Sequence, residues 1–157
     1  MKIIFSLLLC LAFQFLFGQK LSITSLETIL HSSFSSADSL LKKSKFGLAD
    51  KKSADGYINY YFTSYEKANS IQLLRSLTIM DIIEGTDTSR FILYRTYNKK
   101  DQEELQLQLT TSGYELTKRS GNEFTYKKGD RMVINRIAEK DVGGIRKVTV
   151  YEFELGR

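Results

Sequence analysis

Among side chains that could do chemistry, His31 is the only histidine and Cys10 the only cysteine. A zinc site or a nucleophile–base pair needs companions of these types close in space, and there is no second His or Cys to provide them. The serines are many, yet no G-x-S-x-G elbow accompanies them, and His31 falls within a helical pattern between Leu30 and Phe34. His31 therefore reads as a histidine on a helix surface. The carboxylates Asp81, Glu84 and Asp87 in "DIIEGTDTS" come nearest to a metal site, but their spacing matches no calcium loop and they read as a polar turn. Gly143 and Gly144 read as a turn between strands, not a phosphate loop. The residues point away from an enzyme, and no cofactor or metal is expected.

A different chemistry is offered by the aromatic run Tyr57, Tyr60, Tyr61, Phe62 and Tyr65. Alternate residues of a strand face opposite ways, so Tyr57 and Tyr61 share one face and Tyr60 and Phe62 the other. One layer of helices cannot bury both sets. Tyrosine left exposed beside lysine is a common make-up for a protein-recognition surface, because the ring adds contact area while the hydroxyl stays wet. Tyr57, Tyr61 and Tyr65, with Lys51 and Lys52, are the candidate binding residues.

The elements that must position them follow from periodicity. Leu26, Leu30, Phe34, Ala37 and Leu41 recur at helical spacing, which predicts a helix over about 24–43 that "TSLE" at Thr24 to Glu27 could open as a capping box. Serines at 32, 33, 35, 36 and 39 weaken its middle. From Phe46 the period becomes two, in four strand-like runs ending with "RFILYRTYN" and separated by turn-like stretches, one of them at Tyr65 to Asn69. Within the third run Leu73, Leu77, Ile79 and Ile83 share one face and Leu74, Met80 and Ile82 the other. A second helix begins near Asn98 or Asp101, and four more strands follow. The connections are too short for crossover helices, so the strands form antiparallel meanders.

"KSKFGLADKKS" at Lys43 and "TSGYELTKRSG" at Thr111 match at an offset of 68, pairing Leu41 with Leu109, Phe46 with Tyr114, Leu48 with Leu116 and Lys51 with Arg119. The expected fold is α+β: two tandem helix-plus-antiparallel-meander units (αββββ twice), about 24–97 and 98–157. They would form a two-layer sandwich, helices on one sheet face, in a single domain over 19–157. At fold level only, with no shared motif, tandem helix-plus-four-strand units resemble secreted inhibitors of the β-lactamase inhibitory protein family. That resemblance implies a scaffold suited to gripping a protein partner.

The opening stretch "MKIIFSLLLCLAFQFLFG" has one Lys, a short apolar centre and a small residue at its end, as a secretory signal peptide does. Its apolar run from Ile3 to Phe17, broken only by Ser6 and Gln14, is shorter than the roughly 20 residues of a membrane helix. Cleavage after Gly18 would leave Gln19 first and a mature chain without cysteine or a stable membrane span. The ending "FGQK" resembles leaders of Gram-negative exported proteins, which implies a periplasmic or secreted location. The chain carries 23 basic and 18 acidic residues, net +5, which becomes +4 when Lys2 leaves with the leader. The charges are interspersed and not gathered on one face, so nucleic acid is not an expected partner. The expected function is an exported, non-enzymatic binding module whose partner is another envelope or extracellular protein. The alternatives are a carrier of a small apolar ligand or lipid between helix and sheet layers and, behind it, an enzyme that uses carboxylates alone.

Overall fold

The computed structural model describes residues 20–68, 71–142 and 146–156, with side chains at 66–68, 71–73, 142 and 146 left aside. Residues 1–18, expected to be a signal peptide, lie outside the described residues with Cys10, as do Gln19, Gly143, Gly144 and the Leu73 side chain. Among the described residues three helices, α1 (Ile23–His31), α2 (Phe34–Lys43) and α3 (Lys99–Thr111), accompany one antiparallel sheet. Its strands are β1 (Gly47–Ala54), β2 (Tyr57–Ala68), β3 (Ile71–Glu84), β4 (Asp87–Thr96), β5 (Glu115–Ser120), β6 (Glu123–Lys128), β7 (Arg131–Val142) and β8 (Arg146–Gly156). The sheet order is β1-β2-β3-β4-β8-β7-β6-β5, so the two meanders meet through their last strands. The α+β class and the antiparallel sheet agree with the sequence pattern. No helix among the described residues is long and apolar enough to cross a membrane.

Where one helix was expected over 24–43, the structure has two, so the first half opens with a helix pair. Ser22 and Ser33 each accept a hydrogen bond from the backbone N–H three residues on, at 3.0 and 3.2 Å, and each starts a helix. Serine competes with the helix ladder more strongly than it continues it, so the run breaks at Ser32–Ser33. The capping box at Thr24 is not used: Ser22 holds the cap, and Glu27 is drawn instead to Tyr114 and Arg131. The turn expected at Tyr65 to Asn69 is also displaced. β2 runs on to Ala68 and β3 starts at Ile71, paired throughout from Tyr57↔Ile82 to Ala68↔Ile71.

Register aligns one face of the sheet across both meanders: Phe62, Leu77, Tyr94, Phe153, Asn135 and Phe124 stand side by side. Phe62, Leu77, Tyr94 and Phe153 of this row join Ile23, Leu26, Ile29, Ala37, Leu41, Leu105 and Leu109 of the helices in one buried cluster, with Phe124 partly buried against it and the polar Asn135 apart from it. Each fully buried Leu, Ile or Phe there is worth roughly 1.5–3 kcal/mol of transfer free energy. Leu77 and Ile79 are buried as expected, but Ile83 reaches the exposed hairpin end and is not. The strand residues of opposite parity do not belong to the cluster.

α1 ties the two meanders together. Tyr114 Oη and Arg131 Nη1 donate to Glu27 Oε1 at 2.8 and 2.9 Å, and the Ile23 N–H donates to Gln108 Oε1 at 2.9 Å. From the other half, Arg90 grips Asp81 through Nε and Nη2 and reaches the Ile29 and Ser32 carbonyls through Nη1. Burial, and then the bond to Glu27, hold the Tyr114 hydroxyl above its ordinary pKa.

Helix exits are built alike at the offset of 68. The Phe46 N–H bonds to the Leu41 carbonyl, and the Tyr114 N–H to the Leu109 carbonyl. The next strands shift register at Leu48/Asp50 and at Leu116/Lys118. Beyond these bulges Lys51 lies 5.4 Å from the Tyr60 ring centroid and Arg119 lies 5.2 Å from that of Phe124.

Candidate functional site

The sheet face outside the core cluster carries the candidate site. β2 presents Tyr57, Tyr61 and Tyr65 there, opposite Tyr60 and Phe62, which are buried. Tyr65 is 62% exposed, Tyr57 42% and Met80 37%. Across the register Tyr57 is followed by Ile82, and Met80 by Phe91. Tyr61 opens a longer row of Thr78, Leu93, Glu154 and Ile134. Half-buried Ile82, Phe91, Leu93, Met132 and Ile134 add to an apolar band on this face, while Leu74 lies with Tyr65 beyond the polar row of Thr63, Ser76 and Arg95. A Cβ built on Gly156 would come within 2.6 Å of the Phe91 ring, so the glycine's missing side chain is what lets the ring lie across β8.

Next to the band runs a charged row. Arg95, Glu152, Arg136 and Glu123 follow one another across β4, β8, β7 and β6. Glu152 Oε1 accepts from Arg95 Nε at 2.7 Å and from Lys140 Nζ at 2.9 Å. Arg136 donates to Glu123 and to Glu154, both at 2.7 Å. Burial pushes the Glu152 carboxyl up, but the Lys140 and Arg95 donors outweigh it and leave its pKa below the ordinary carboxylate value. The bonds to Glu123 and Glu154 raise that of Arg136. These charges satisfy one another, which leaves the neighbouring apolar residues as the unfilled part of the face.

Of the five residues singled out from sequence, Tyr57, Tyr61, Tyr65 and Lys52 come together on this face, with Lys52 Nζ 5.7 Å from the Tyr61 ring centroid. Lys51 does not, because one step along the strand turns it to the other face over Tyr60. Sequence reasoning missed the charged row and the contribution of Met132 and Ile134. The alternation of Glu152 and Glu154 with apolar residues hinted at it, but the cross-strand pairing that aligns Arg95 with Arg136 is not written in any one strand.

The acidic turn does not converge. Asp81 faces the core side in its pair with Arg90, whereas Glu84 and Asp87 are exposed at the hairpin end. No group of three or more metal-ligating side chains is found among the described residues. His31 is exposed at the end of α1 and lines a polar cleft of about 190 Å³ with Leu30, Thr88, Ser89, Arg90 and Phe91.

No family model, curated protein or solved structure matches this chain.

Proposed function

We propose that this protein is an exported, non-enzymatic binding module that holds a partner protein of the bacterial envelope or extracellular space on its Tyr57–Tyr61–Tyr65 sheet face. The observation that carries the reading is the band formed by Tyr57, Met80, Ile82, Phe91 and Leu93, an apolar surface outside the helix-side cluster, with exposed Tyr65 and its neighbour Leu74 beyond the polar row of Thr63, Ser76 and Arg95. Contiguous apolar surface rimmed by satisfied charge is the usual make-up of a recognition site. The periplasmic or secreted location rests on the leader-like residues 1–18.

The scaffold of this reading is a two-layer sandwich descended from a duplicated helix-plus-meander unit. Matching helix exits, bulges and cation–ring pairs at one offset support the duplication. A sandwich of this kind keeps helices on one face and leaves the other for a partner. The alternative, a carrier of a small apolar ligand between the layers, draws no support from the cavity beside Tyr94 and Leu105. At about 10 Å³ it is at the lower limit for a single water.

The test is binding of the mature chain to its purified partner after Tyr61→Ala or Tyr65→Ala. Weakening by tenfold or more in either supports the reading, and unchanged affinity in both removes this face.

A further inference from the structure

β4 is longer than the strand beside it. β8 pairs with β4 only from Ile92↔Leu155 to Thr96↔Tyr151, whereas β3 pairs with β4 down to Glu84↔Asp87. The first residues of β4 therefore have a partner strand on one side alone among the described residues. Which main-chain groups face the free side follows from one hydrogen bond. The Ile83 N–H donates to the Gly56 carbonyl at 2.7 Å, away from β4. In an antiparallel ladder the residue opposite such an outward-facing one also turns its N–H and C=O outward, and that residue is Thr88. Thr88 thus presents a donor and an acceptor along the line of β8.

The cleft of about 190 Å³ lies there, lined by Leu30, His31, Thr88, Ser89, Arg90 and Phe91. Its helical wall is held firmly, because Arg90 bonds Asp81 with two nitrogens while its Nη1 holds the Ile29 and Ser32 carbonyls at the end of α1. Drug-sized ligands and cofactors use pockets of roughly 300–1,000 Å³. This one is smaller and has a strand edge for a wall. A short extended peptide fits both features, since strand addition joins main-chain bonds to small side-chain pockets.

We propose that the cleft receives an extended segment of the partner protein, which adds to β4 in the line of β8, antiparallel to β4, and bonds the Thr88 N–H and C=O. The segment's side chains alternate between Leu30 and His31 on the helix side and Ser89 and Phe91 on the tyrosine-bearing side. Phe91 belongs to both cleft and apolar band, so a chain leaving the cleft passes onto the proposed binding face. This deepens the proposed binding role and rests on it.

The test uses the mature chain and the peptide acetyl-Val-Thr-Val-Thr-Val-amide at millimolar concentration, read by residue-resolved amide exchange. The expected result is at least tenfold slower exchange at Thr88 with peptide. Thr88→Pro, which removes the N–H without touching the β3 ladder, should lose at least tenfold in affinity. Exchange at Thr88 unaltered by peptide, or equal binding by Thr88→Pro, overturns the proposal. If Thr88→Pro does not fold, the exchange result alone decides. Loss of the face reading would show separately, as partner affinity indifferent to Tyr61→Ala and Tyr65→Ala.

Discussion

Lys45 and Gly113 stand 68 positions apart and both turn the chain out of a helix in the left-handed conformation, at φ +64° and +83°. Glycine takes this region freely, whereas a lysine strains its Cβ against its own backbone. Lys45→Gly is therefore expected to stabilise the fold by about 0.5–1 kcal/mol, and Gly113→Ala to cost about 1 kcal/mol or more. Thermal or urea unfolding of the two variants checks the opposite signs.

The sequence carried this relationship only in part. Helices, strands and their order were readable because apolar period changes from 3.6 to 2 and back, and the match of Phe46 with Tyr114 marked the two helix exits. The break at Ser32–Ser33 was foreshadowed by serines but not located, because two caps one helix apart compete with an unbroken apolar stripe. The faces of β2 were assigned correctly for Tyr57, Tyr60, Tyr61 and Phe62, since parity is local. Lys51 and Lys52 had to part to opposite faces, and which of them joins the tyrosines could not be read because parity in β1 cannot be tied to β2 without the bulge at Leu48/Asp50. The salt row and the cleft at Thr88 depend on which strands are neighbours, which is a property of the whole sheet.

Asn135 occupies in the second meander the place that Leu77 has in the first, between two aromatic neighbours in the row, and it is fully buried with neither amide atom hydrogen-bonded. An unsatisfied buried amide costs roughly 1–3 kcal/mol. Asn135→Leu, close in size, is expected to raise stability by about 1–2 kcal/mol, or a few degrees in Tm. A loss of stability in calorimetry would contradict the polar cost assigned to this site.

Glu152, with its pKa held below the ordinary value by Lys140 and Arg95 against the opposing effect of burial, contributes stability that depends on pH. A depressed folded pKa means that the contribution is complete above the unfolded carboxylate range, near pH 4–5, and is lost as pH falls through the folded value. Glu152→Gln should cost about 1–2 kcal/mol at pH 7, and the difference should shrink as both proteins are taken to lower pH. Urea unfolding across that range reads it. A difference constant with pH would contradict the assigned ion pairs.

Tyr114 is shifted the other way, by burial and by its bond to Glu27. A raised folded pKa contributes stability that is present below the unfolded tyrosine value, near pH 10, and is lost as pH rises through the folded one. Spectrophotometric titration should show an ionisation above the ordinary tyrosine range that Tyr114→Phe removes. Glu27→Gln should move that step to lower pH.

The central claim, that a partner protein is held on the tyrosine-bearing sheet face, is tested most directly by photocrosslinking in the intact envelope. A photoreactive residue would replace Tyr65 in one protein and Leu107, exposed on α3, in another. The account predicts one discrete protein adduct from position 65, competed by unlabelled mature chain, and none from position 107. An adduct from position 107 with none from position 65 would contradict it.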